Sequence, residues 1–256
     1  MGTKSLEKTG DLEDVRSEPD LKKAKPAHLT TAGPFGESVG ASLKELLPGL
    51  EIDRYAESKS FDSPQWPCSR LHLVAAWRPL PRLMDALNAF CYASRVPLIP
   101  AIVEGCHLTI GPVVIPGVSA CHACYEQRTL QHSARPELRA ALHRHYDLHP
   151  ESGPQGHLNV FADLAAVRLA QLDYRLATGP DEIAGKVWKF DLLTRQSVSG
   201  MVTGMHGCPH CGMKRDERSR SYSLLQSELE YLFEEKAQSE SAGAVTEGSF
   251  CFSPGR

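Results

Sequence analysis

Gly111-Pro-Val-Val-Ile-Pro-Gly-Val-Ser-Ala-Cys-His-Ala-Cys124 ends in one C-x-x-C pair, and Cys208-Pro-His-Cys211 supplies a second. A C-x-x-C turn presents two thiolates to one ion. Two such turns supply the four sulfurs that suit tetrahedral zinc, at roughly 2.3 Å each. The pairs are separated by 83 residues, far more than in a self-contained zinc ribbon. The fold must therefore bring Cys121, Cys124, Cys208 and Cys211 together, and a metal there would clip two distant segments. His122, His206 and His210 lie beside the thiols as further possible ligands. A closed four-sulfur site keeps no position for water, which makes it structural and not catalytic. The competing reading is two unrelated pairs, one or both redox-active.

Working outward, composition narrows the classes. The chain has 256 residues and is 41% hydrophobic, enough for one domain with appendages. A formal net charge of −3 gives no basic excess for nucleic acid. No run of about 18 apolar residues predicts a membrane span. The N-terminal region is charged from Lys4 and lacks a signal peptide's apolar core, and Leu6 stands where myristoylation wants Ser or Thr. Cys68, Cys91, Cys106 and Cys251 show no disulfide pattern, and Cys91 and Cys106 read as core thiols. A reducing cytoplasm is the expected home.

Along the chain, residues 1–27 read as a charged disordered tail. His28–Ala32 reads as a strand, Gly33-Pro-Phe-Gly36-Glu-Ser-Val-Gly40 as a turn, Ala41–Leu47 as a helix and Leu50–Ile52 as a strand. That order opens a dinucleotide-type βαβ unit. The fingerprint wants G-x-G-x-x-G, whereas Gly33, Gly36 and Gly40 give G-x-x-G-x-x-x-G, and Pro34 removes an amide donor. The glycines read as a structural turn without nucleotide binding.

After a polar loop over 55–69, Leu71–Ala76 reads as a buried parallel strand, and Pro81–Arg95 as a helix. Val96–Val103 and Cys106–Ile115 form a hairpin. The stretch from Cys121 to about Leu148 begins helical, and its His132, His143, His145 and His149 read as a solvated face, not a second metal site. Asn159–Thr178 predicts an amphipathic helix with Val160, Leu164, Val167, Leu169 and Leu172 on one side. Val187–Leu193 and Val198–Val202 read as paired strands, and Ser221 to about Lys236 as a last helix before a loose tail. The sum is an α/β protein, a parallel sheet with helices on both faces and an antiparallel extension.

Leu71–Ala76, Leu87-Asn88, Val96–Ile99, the G-P-x-x-x-P-G-x-x-x-C-x-x-C run, Tyr125-Glu-Gln-Arg128, Val187–Leu193 and Cys208–Gly212 carry a resemblance. Residues 28 to about 212 resemble the ThiF-like Rossmann-type fold of ubiquitin-activating-type enzymes. Within it they are most similar to the ThiF-like partner proteins of the thiazole/oxazole-modified microcin (TOMM) family. The resemblance implies a ThiF-like domain over 28–216, and a structural zinc on Cys121, Cys124, Cys208 and Cys211. It also implies a role in bacteriocin biosynthesis: binding the leader of a ribosomal precursor peptide and presenting it to a YcaO-type cyclodehydratase, with a homodimer or complex as the assembly. ATP chemistry would belong to the partner, since the glycine turn is degenerate and Trp77-Arg78 stand where adenylating relatives place an acidic residue. Many members carry a winged-helix module for the leader. Here the leader is expected to use a module from another protein, the tail, or an exposed sheet edge.

Two other functions compete. An adenylyltransferase would bind ATP at Gly33–Gly40 and need an acidic metal ligand, with Glu37, Asp53 and Asp85 as candidates. A redox protein would use one C-x-x-C pair, with His122 or His210 lowering a thiol pKa.

Overall fold

The structure is a computed structural model that describes residues 25–56, 65–154 and 156–212. The tail before residue 25 and the helix expected at 221–236 lie outside the described residues. The chain runs β1 (Ala27–Ala32), α1 (Gly33–Leu46), β2 (Glu51–Arg54), β3 (Leu71–Ala76), α2 (Pro81–Ser94), β4 (Leu98–Glu104) and β5 (His107–Ile110). It continues with α3 (His122–Gln131), α4 (Pro136–Leu148), α5 (Asn159–Thr178), α6 (Pro180–Ile183), β6 (Lys186–Asp191) and β7 (Ser197–Met201).

The strands form a mixed seven-stranded sheet in the order β2-β1-β3-β4-β5-β6-β7. β2, β1, β3 and β4 are parallel. β5, β6 and β7 add to β4 as an antiparallel extension. β1 and β3 are buried along their whole length, which explains why Leu71-His-Leu-Val-Ala-Ala76 is apolar at nearly every position.

Alternation along the strands feeds two cores. Leu29, Leu71, Leu73, Ile99 and Leu108 pack with Phe35, Val39 and Leu43 of α1 and with Ala162, Ala165, Leu169 and Leu172 of α5. On the opposite face Ala32, Val74, Ala76 and Leu98 pack with Leu83, Met84, Leu87 and Cys91 of α2, and all four motif cysteines join that core.

Three expectations change. The glycine turn is not a loop: α1 starts at Gly33, so Gly33, Gly36 and Gly40 lie within the helix. Cys106 is exposed at the β4–β5 turn, whereas Cys91 is buried as expected. On α5 the expected apolar side splits. Leu169 and Leu172 are buried, while Val160 is 63% exposed and Leu164 and Val167 also face out. The inward face is instead Ala162, Ala165, Ala166, Leu169, Leu172 and Asp173. Alanines let α5 lie close against α1, its main packing partner, so small residues mark the core side. Asp173 is kept there by a two-pronged ion pair with Arg70, just ahead of β3.

Candidate functional site

The first cysteine pair is delivered by the turn after β5. Cys121 precedes α3, and its carbonyl accepts the Cys124 amide at 3.1 Å. The second pair follows β7. There Cys208 N–H donates to the Met205 carbonyl, and Gly212 N–H donates back to the Cys208 carbonyl at 2.9 Å. A β-carbon at Gly212 would fall 2.6 Å from the Cys208 nitrogen, so this turn needs glycine after its last cysteine.

All four thiols are buried, and their sulfurs lie within 4.8 Å of one another. The pairs interlock: Cys121 to Cys208 is 3.6 Å, Cys124 to Cys211 is 3.4 Å and Cys121 to Cys124 is 3.8 Å. A tetrahedral ion with metal–sulfur bonds of roughly 2.3 Å sets its sulfurs about 3.8 Å apart, so the cluster fits one metal ion. Met205 N–H donates to Cys124 Sγ at 3.3 Å, a bond that favours the thiolate. Crowding splits the thiols. Hydrogen bonds to Cys124 and Cys211 push Cys121 up, those from Cys121 and Cys211 hold Cys124 down, and Cys211 is raised to about 11. Among the described residues the converging ligand atoms are these four sulfurs, so His122, His206 and His210 fall outside the set.

Strand order reverses elsewhere, at the carboxyl ends of β1 and β3, the place where open α/β sheets bind ligands. Trp77 fills it. Its amide donates to the Ala32 carbonyl at 3.2 Å, and its ring packs on Gly33. Gly33 has φ +68° and no room for a β-carbon beneath that ring. Gly36 rests against the Ala75 carbonyl, so it serves helix–strand packing. The acidic candidates scatter. Glu37 pairs with Arg54, Asp53 accepts from His28 Nε2 at 2.9 Å, and Asp85 lies across the sheet on α2.

Two clusters escaped the sequence reading. His28 and His72 face each other on neighbouring strands, with Nδ1 atoms 3.2 Å apart. Burial, then the neighbouring His28, lowers His72 from 6.5 to about 4, against the Pro67 carbonyl. Only their shared strand register reveals the pair. The second cluster lines a cavity of about 310 Å³ between α2, the end of β4, α3 and α4. Glu104 there binds Arg139 at 2.9 Å and His143 at 3.5 Å. Burial favours the Glu104 proton, but the His143 hydrogen bond and the Arg139 charge outweigh it and hold the carboxyl below its usual range. Asp85 is raised, chiefly by burial, against the charges of His122 and His210.

No family model and no curated protein sequence matches this chain. Solved structures do. The heterocyclase TruD superposes with a TM-score of 0.53 at 22% identity, over 74% of this chain and 28% of that one. A heterocyclase in complex with substrate and cofactor gives 0.52 at 19% identity, over 73% of this chain and 25% of that one. MccB of E. coli gives 0.53 at 15% identity, over 77% of this chain and 67% of that one. MccB has also been solved with MccA and with ATP. At these identities the likeness establishes the fold. The chain spans about a quarter of the length of the heterocyclase chains it matches. Among the described residues no helix is long and apolar enough to cross a membrane.

Proposed function

We propose that this chain is a non-catalytic, ThiF-like scaffold that binds the leader of a ribosomal precursor peptide and presents it to a YcaO-type cyclodehydratase. A structural zinc on Cys121, Cys124, Cys208 and Cys211 completes its fold. The carrying observation is Trp77 packed on Gly33 in the switch-point crevice, where a nucleotide-binding relative needs an open glycine loop. The peptide role draws support from the fold shared with TruD and with MccB, the latter solved with MccA.

The sheet offers a docking edge. Among the described residues the outer strands are β2 and β7. β2 reads Glu-Ile-Asp-Arg, and its charges guard that edge. β7 reads Ser-Val-Ser-Gly-Met, without charge and exposed throughout. A leader segment adding as a strand to β7 would gain main-chain hydrogen bonds and side-chain contacts with Val198 and Met201.

The chain would work in the cytoplasm, as a homodimer or within the cyclodehydratase complex. The test is fluorescence anisotropy with precursor peptides encoded beside the gene, run alongside ATP–pyrophosphate exchange. Saturable leader binding without exchange is the expected result. Exchange would make the chain an adenylyltransferase, and absence of binding to every neighbouring precursor would remove the scaffold role.

A further inference from the structure

A groove of about 660 Å³ lies between α3, β6 and the end of β7. α3 lends it Arg128 and His132, β6 lends Lys189, and Met201 and Val202 border it where β7 ends. Arg139 reaches in from α4, already paired with Glu104 at 2.9 Å and Glu126 at 3.5 Å. Among the described residues no carboxylate lines the groove. With Glu104 and Glu126 set against Arg128, Arg139 and Lys189, cations still exceed anions by three to two. Among the described residues Arg128 and Lys189 have no carboxylate at ion-pair distance, and Glu104 feels Lys189 only from farther away. Both cations are half-buried, so a counter-charge there is screened less than at an open surface.

The groove adjoins the β7 edge. The β6–β7 register pairs Lys189 with Val198 and Val187 with Gly200, so Lys189, Val198 and Gly200 share one face of the sheet. Val202 continues that face and packs on the core that holds α2 and the thiol cluster. α3 lies over the same face, since its Arg128 and the Lys189 of β6 line one groove. Val198 and Gly200 are bonded to β6, which leaves Ser197, Ser199 and Met201 with outward amides. A strand added to those amides would direct every second side chain toward α3.

We propose that the strand received by β7 is acidic, with Asp or Glu at alternate positions whose carboxylates enter this groove beside Arg128 and Lys189. This rests on the β7 edge proposed above for the leader, and it adds the chemical character of the segment that binds there. Arginine takes a carboxylate through two parallel hydrogen bonds, and lysine adds a point charge. The outward amides of β7 select a peptide among polyanions, because a polynucleotide has no backbone that pairs with a strand.

The experiment is fluorescence anisotropy of the purified full chain with the labelled synthetic peptide Thr-Glu-Val-Glu-Val-Glu-Thr and its counterpart with Gln for Glu, with inorganic phosphate as competitor. Saturable binding of the glutamate peptide is expected, roughly tenfold tighter than that of the glutamine peptide, with the gap narrowing as salt is added. Arg128→Gln and Lys189→Gln should each weaken the glutamate peptide roughly fivefold and leave the glutamine peptide unchanged, and either variant serves should the other fold poorly. Equal affinity for the two peptides, no saturable binding of the glutamate peptide, full affinity in the well-folded cation variants, or displacement by equimolar phosphate overturns the inference. The scaffold role is judged separately by the precursor anisotropy and exchange assay. Leader binding that is lost in Ser199→Pro but indifferent to Arg128→Gln and Lys189→Gln would keep the β7 edge and remove the acidic groove.

Discussion

At Gly36 a methyl group would fall inside the van der Waals radius of the Ala75 carbonyl oxygen, on a strand that cannot retreat from its neighbours. Gly36→Ala should therefore cost about 1–3 kcal/mol by chemical denaturation, with metal content unchanged. A neutral result would show that α1 slides freely on β3. The glycines looked like a failed phosphate loop because their spacing was compared with a ligand motif, whereas their constraint is the approach of a helix to a strand. His72 makes a pH prediction. Its folded pKa of about 4 lies below the ordinary 6.5, so the buried neutral ring contributes fully above pH 6.5. That contribution is lost as pH falls toward 4, by about 3 kcal/mol in all. The stability gap between the wild type and His72→Leu should shift by that amount in the variant's favour between pH 7 and 4. The comparison cancels acid loss of any metal, which both proteins share. A pH-independent gap would mean that His72 is solvated or charged in the folded state.

Among the elements, β7 carries the peptide-docking claim. Ser199→Pro removes an outward edge amide, since Val198 and Gly200 are the β7 residues bonded to β6, and should weaken leader binding roughly tenfold or more while sparing the core. Unchanged affinity would move docking off this edge. The elements also differ in how far the sequence discloses them. Leu71–Ala76 is readable to the residue because a central parallel strand is apolar on both faces. Asn159–Thr178 is readable in extent because Gly179-Pro180 ends it. Its orientation is not, since Val160, Leu164 and Val167 outrank the alanines in hydrophobicity yet face outward. Packing depth, which no periodicity encodes, decides that. The first two turns of α1 are hidden by Gly33 and Pro34, residues that mark turns more often than helices.

Across the whole molecule, the thiol cluster joins the turn ahead of α3 to the chain leaving β7, closing a loop of more than 80 residues. The four cysteines were legible in sequence by type and spacing, but their meeting required the antiparallel extension to run back along β5 and β6. The cavity around Glu104 was not legible, since its residues come from four elements with no shared motif. If the cluster holds a metal, Cys121→Ser or Cys208→Ser should lose it and cost at least about 3 kcal/mol, because metal binding and folding are coupled. A strong chelator should likewise lower the melting temperature of the wild type and leave that of Cys124→Ser/Cys211→Ser unmoved. The most direct test is native mass spectrometry of the purified chain. One zinc ion per chain, absent from the Cys124→Ser/Cys211→Ser variant, is the result expected of a metal-clipped scaffold. A metal-free, fully folded chain with four reactive thiols would contradict it.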